Sequence, residues 1–240
     1  MKSLKERTLL AVAVLTAAVA LSSGHAQAQS SPAQAPSPPP APGLSPLGQS
    51  RPVAEGSVVQ YLMNHHGEVD GLLLSDGTQV HFPPHMGKDL VSTVKPNDPV
   101  SVQGYRSFGG PVVKAYAITN IQSGQSVVER ELTLLDGPII PPHLKDLSLV
   151  ERHAEGVIRV LLYGPRGELN GAVLEDRTIV RVPPHAAYQV AGLLKVGQQI
   201  SAIGYGTENE HGRVIEATAM GTSGNPMISI NDPGPRGFRR

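Results

Sequence analysis

Leu74-Ser75-Asp76-Gly77-Thr78-Gln79-Val80-His81-Phe82-Pro83-Pro84-His85 returns later in the chain as Leu174-Glu175-Asp176-Arg177-Thr178-Ile179-Val180-Arg181-Val182-Pro183-Pro184-His185. Between Glu55 and Tyr105 an ungapped shift of 100 residues leaves 17 of 51 positions identical, which is far beyond chance. The chain therefore carries one module twice, and the period is too long for a solenoid unit. Each copy must bury its own core at a size where burial is only just sufficient. Aromatic residues are 4% of the 240, so that core has to rest on Val, Leu, Ile and Ala.

Within the first copy, Gly56 to Met63 is a β-rich run that ends in the turn-like Asn64-His65-His66-Gly67, and Glu68 to Leu74 is a second strand. Asp76-Gly77 is hairpin chemistry, because Gly accepts positive φ, so Thr78 to Phe82 should fold straight back as a third strand. Pro83 and Pro84 stop it. From Met86 to Val94 the apolar residues Met86, Leu90, Val91 and Val94 share one helical face. Lys95 to Asp98 is a turn, Pro99 to Arg106 a fourth strand, and Val112 to Ile121 a fifth. The second copy repeats each step: Gly156 to Tyr163, Glu168 to Leu174, Thr178 to Val182, a helix over Tyr188 to Leu194, Gln199 to Gly206, and Val214 to Met220. After Tyr205 the shift grows to 102, so two extra residues fall between the fourth and fifth strands, where a loop absorbs them cheaply. Asp176-Arg177 replaces Asp76-Gly77, and the second hairpin must adopt another turn or strain Arg177.

The order β-β-β-α-β-β in about 70 residues is that of the OB barrel, a five-stranded, partly open Greek-key barrel. The expected fold is mainly β, with two tandem five-stranded OB-like barrels. The modules also resemble the small OB-fold domains of exported bacterial proteins in their Gly-x-Val start, Asp-Gly-Thr-x-Val hairpin and later turn and strand. Here those features are Gly56-Ser57-Val58, Asp76 to Val80 and Asn97 to Val100, then Gly156-Val157-Ile158, Asp176 to Val180 and Gly197 to Ile200. These motifs are turn chemistry and speak for fold more than for ligand.

Around the modules lie segments of other character. Residues 1–28 read as a secretory signal, with Lys2, Lys5 and Arg7, an apolar run from Leu9 to Leu21, and Ala26-Gln27-Ala28 as the cleavage site. Residues 29–54 form a Pro-rich linker that cannot bury a core. The modules occupy 55–122 and 155–222, joined by a connector over 123–154. In that connector Val127 to Leu134 alternates like a strand, and Asp136-Gly137 followed by Pro141-Pro142-His143 echoes the repeated motif a third time. Residues 223–240, with Pro226, Pro233 and Pro235, form a tail without periodicity, expected to be disordered.

Lys plus Arg and Asp plus Glu are 20 each, which removes the electrostatic basis of nucleic-acid affinity. Nucleic acid is not an expected partner. Cysteine is missing, so disulfides, thiolate nucleophiles, Cys-ligated zinc and a lipoprotein anchor are excluded. We find no phosphate loop, dinucleotide fingerprint, nucleophile elbow or His-Glu-x-x-His, and the expected class is not an enzyme. No membrane span is expected once the signal is cleaved.

His85 and His185 each follow two prolines and open a helix, where the positive dipole end disfavours protonation and leaves a ring nitrogen free. They are candidate ligand-binding residues. The plainer alternative is that they hydrogen-bond the turn and fix the helix start. With His65, His66, His81 and Met86, His85 also suggests a copper- or nickel-type site, in the manner of small periplasmic OB-fold copper carriers. In the second module Pro165, Arg166, Arg181 and Ala186 replace four of these ligands. Tyr105 and Tyr205 on the fourth strands are candidate stacking residues. The resulting expectation is a periplasmic or secreted, non-enzymatic binding protein of the bacterial envelope. Its partner would be an envelope protein or polymer, met through the Pro-Pro-His corners and the turns after the first and fourth strands. Metal binding is the first alternative and oligonucleotide or oligosaccharide binding the second. No cofactor is expected beyond a possible transition-metal ion.

Overall fold

A computed structural model describes residues 51–132 and 140–230. The signal, most of the linker, the first half of the third echo and the end of the tail lie outside the described residues. Each module is a closed five-stranded barrel of OB type, as the order of elements implied.

In the first barrel β1 (Ala54–Met63) pairs antiparallel with β2 (Val69–Leu74) and β4 (Pro99–Arg106), β2 with β3 (Gln79–His81), and β4 with β5 (Val112–Asn120). The parallel pairing of β3 with β5 closes the barrel. Helix α1 (Pro84–Thr93) connects β3 to β4, with a proline in its first turn where the missing N–H costs nothing. Met86, Gly87 and Leu90 are its buried face, and a Cβ on Gly87 would stand 2.3 Å from the Val69 carbonyl. Only glycine lets the helix seat that close to β2. A short strand β6 (Ser126–Val128) adds to β5, which is the beginning of the alternating run read from Val127.

The connector then forms a short helix α2 (Pro142–Lys145) and one 3-10 turn (Asp146–Ser148). In the second barrel β7 (Val150–Tyr163), β8 (Leu169–Leu174), β9 (Ile179–Arg181), β10 (Gln199–Asn209) and β11 (Gly212–Gly221) repeat the same pairings, again closed by a parallel contact, β9 with β11. Even the irregularities recur. Register slips at Val58/Gln60, Leu62/Met63 and Gln103/Gly104 return at Ile158/Val160, Leu162/Tyr163 and Ile203/Gly204.

Three local expectations are corrected. The helix read over Tyr188 to Leu194 is one turn, α3 (Ala187–Val190), because Gly192 interrupts the run. The two inserted residues do not sit in a loop; they lengthen the β10–β11 hairpin, which runs in register to Asn209 and Gly212. The tail is ordered at its start, where β12 (Ile228–Ser229) pairs with β11 and Ile230 is buried; two residues are too few to show a period.

At the second hairpin Arg177 does take the strained conformation, φ 70° against 86° at Gly77. Asp176 holds it: its carboxylate accepts from the Thr178 N–H and hydroxyl at 2.9 and 2.8 Å, as Asp76 does for Thr78.

The two barrels pack on each other. Leu162, Val173, Ile179 and Val214 of the second belong to the buried apolar cluster of the first. Polar contacts around them come in pairs related by the sequence shift. His81 Nε2 lies 2.9 Å from the Tyr163 carbonyl, while Arg181 Nε donates to the Met63 carbonyl at 3.0 Å. Ser107 Oγ donates to the Pro165 carbonyl, and Thr207 Oγ1 to the His65 carbonyl at 3.1 Å. This is the reciprocity of an isologous dimer, achieved inside one chain. Gln79, fully buried, donates to the Leu161 carbonyl at 2.7 Å and accepts from the Tyr163 N–H at 2.9 Å, so its amide pairs with β7 as a strand backbone would.

Candidate functional site

The docking contacts fall on the turns that were expected to face a partner. The β1–β2 turn of the first module meets the β10–β11 hairpin of the second, and the β7–β8 turn of the second meets the loop after β4. Those turns are consumed in joining the modules. What they leave between them is a cleft of about 370 Å³ whose wall comes from both barrels, with Asn64, His65 and Asp70 on one side and Asn170, Arg181, His185 and Glu216 among those on the other.

Two ion pairs across the modules organise the cleft. Arg181 Nη2 lies 3.1 Å from Asp70 Oδ1, with the guanidinium buried by its β9 position. Burial pushes the Asp70 carboxyl above its ordinary pKa even though Arg181 pulls it down. His65 Nδ1 lies 2.9 Å from Glu216 Oε2 on β11. Burial opposes a charge on His65, but the hydrogen bond and charge of Glu216 outweigh it and hold the imidazole above its usual pKa. His185 is exposed at the cleft edge.

Beside the cleft the connector adds a second group. His66 Nε2 is 2.9 Å from Asp146 Oδ1, and Lys145 Nζ is 2.6 Å from Glu68 Oε1. Burial works against the Glu68 carboxylate, yet its bonds from Lys145 and Asn64 prevail and lower its pKa. Asn64 builds this turn, its Oδ1 accepting from the N–H of His66 at 3.0 Å and of Glu68 at 3.1 Å. The consequence is that His65 and His66 stand side by side, ring centroids 4.0 Å apart. Ligand atoms of His65, His66 and Asp146 all lie within 4.8 Å of one another.

Of the five residues read as a metal set, the structure brings His65 and His66 together and places the others in different surroundings. His81 is buried at the module interface, where loss of water lowers its pKa to about 4, with the Arg181 charge adding to the effect. Met86 is in the first core. His85 makes no helix cap; its Nε2 lies 3.0 Å from the Arg130 carbonyl, tying the segment after β6 to α1. Tyr105 is 71% exposed and leans on Tyr116 at 5.8 Å, while Tyr205 is half-buried on β10. Tyr61 and Phe82 are in the core, so the aromatics of the first module do not form one continuous outer stripe. Arg181, Glu216 and Asp146 were not singled out by sequence reasoning. In the sequence Arg181 reads only as a histidine lost from the second copy, and Asp146 has only its place just after the third Pro-Pro-His to mark it.

No protein-family model matches the chain, and no curated protein sequence matches it. Among the described residues no helix is long and apolar enough to cross a membrane.

Proposed function

We propose that this chain is an exported, non-enzymatic binding protein of the bacterial envelope, in which two fused OB-like barrels act as one platform. The observation that carries the reading is the inter-module cleft. It exists only because the barrels are docked, it is lined by paired charges and amides from both, and it leaves His185 accessible at its edge. Pre-formed polar clefts at such junctions suit ligands fixed by a few placed hydrogen bonds. Binding needs no moving part here: each charge that faces the cleft is already oriented by its partner, so little ordering cost remains when a ligand arrives.

The ligand class we favour is an envelope polymer or an extended segment of an envelope protein, reached by a platform held off on its Pro-rich linker. Soluble cell-wall glycan fragments titrated into isotope-labelled protein test this by chemical-shift mapping. Saturable shifts around Asn64, Asn170 and His185, weakened about tenfold in a His185→Ala, Asn170→Ala double variant, are the expected result. Shifts confined to the outer barrel faces, or affinity unaltered in the variant, would remove the cleft from the function. Cell fractionation supplies the location, and retention of the full-length chain in the cytoplasm would refute export.

A further inference from the structure

His65, His66 and Asp146 form a different kind of site from the cleft they border, and we propose that they bind one divalent transition-metal ion, with Glu216 orienting His65 from behind. The donor set is two imidazoles and a carboxylate, which suits Zn(II), Ni(II) and Cu(II). All three side chains are half-buried, with side-chain exposures of 28% and 13% for the histidines and 15% for Asp146. One potential ligand atom from each lies within 4.8 Å of the others, and about 3.3 Å is needed around an ion with bonds near 2.1 Å, so the side chains must rotate inward to close on the ion.

The surroundings are those of a metal site. Metal-bound histidines characteristically donate their other ring N–H to a carboxylate, which fixes the tautomer and raises basicity. Glu216 stands at that position, 2.9 Å from His65 Nδ1, so that in the proposed site Nε2 would carry the ion. Asn64 fixes the turn that presents both rings, and the Lys145–Glu68 pair anchors the connector beside Asp146. A bound ion would thus pin the connector to the first module, with the second module holding His65. Three protein ligands leave at least one coordination position for water or a polar group from the cleft.

The proposal predicts a single site. Pro165 and Arg166 replace the two histidines in the second module, whereas a site at the Pro-Pro-His corners would give two per chain. Calorimetric titration of the full chain with Zn(II), Ni(II) and Cu(II) reads this directly. We expect one ion per chain, at least a tenfold loss of affinity in both His66→Gln and Asp146→Asn, and a 10- to 100-fold loss in Glu216→Gln. His85→Ala, whose ring meets only the Arg130 carbonyl, should leave affinity unchanged. X-ray absorption of the loaded protein should show two imidazole scatterers, a readout that a purely structural effect of the substitutions would not supply. No saturable binding, two ions per chain, or full affinity in folded Asp146→Asn protein would overturn the assignment. The glycan titration fails or succeeds independently, since it is run without added metal.

Discussion

Asn64-His65-His66-Gly67-Glu68 and Gly164-Pro165-Arg166-Gly167-Glu168 fold into the same turn. In each, the first residue donates to the carbonyl of the last, at 3.0 and 2.7 Å, and the glycine has φ 82° or 84°. The side chains have parted company. In the first turn Asn64 caps the backbone, so the Glu68 carboxylate is free to meet Lys145. In the second, Gly164 leaves that space empty, and the Glu168 carboxylate turns in to accept from the Arg166 N–H at 3.0 Å. A duplicated scaffold can hold its backbone while one copy collects the chemistry and the other serves as frame. The same division holds at His81 and Arg181, equivalent residues that make equivalent carbonyl contacts but only one of which crosses to a carboxylate.

The largest test of that division is at these two positions. Arg181→Leu removes the guanidinium from two contacts and strands Asp70, and should cost about 3–4 kcal/mol in denaturant unfolding. His81→Leu strands only a carbonyl and should cost about 1–2 kcal/mol. Equal losses would mean that the interface does not distinguish the modules. Next comes pH. The folded pKa of His81, about 4, lies below its unfolded value. The unfolded chain therefore binds the extra proton first, and the contribution present above about pH 6.5 is lost as pH falls towards 4, up to about 3 kcal/mol. Asp70, raised by burial, acts in the opposite sense, because the folded carboxyl takes up its proton before the unfolded one does as pH falls. The diagnostic is thus the difference between wild type and His81→Gln across that window, and a difference that does not vary with pH would contradict the burial of His81.

A third test is smaller. A Cβ on Gly167 would meet the Gly109 carbonyl at 2.3 Å, but one on Gly67 meets only side-chain atoms of Asn209 and Thr207 at 2.9 Å. Both need positive φ, so Gly167→Ala should cost about 2–3 kcal/mol and Gly67→Ala about 1–2 kcal/mol, read as melting shifts. The smallest effect is a gain: Arg177→Gly should relieve the left-handed strain and stabilise by about 1 kcal/mol. A loss there would show that Arg177 makes contacts worth more than its strain.

Much of the barrel was legible because its signals are local. Asp-Gly turns, the Pro-Pro stop and the Met86–Leu90 spacing each act within a few residues, and the repeat allowed every reading to be checked against its copy. The strained Arg177 was visible for the same reason. Docking was not visible. Gln60, Gln79 and His81 are polar residues on strands, which alternation assigns to a wet face, and only the second barrel shows that they are buried. The candidate sites suffered likewise. His65 and His66 could be named, but their partners Glu216 and Asp146 come from distant segments that no local period links to the turn. Burial of His81 depends on which side of the barrel faces its twin, and a linear pattern does not carry that, whereas the helical spacing of Met86 with Leu90 already placed Met86 on a buried face.

The two modules form one body, held by a reciprocal interface with a shared apolar core. Differential scanning calorimetry of the full chain reads whether they unfold together. We predict one transition, with calorimetric and van't Hoff enthalpies equal, shifted downward as a whole by Arg181→Leu. Two separable transitions, with Arg181→Leu lowering only the second module's, would mean that the barrels unfold as independent bodies.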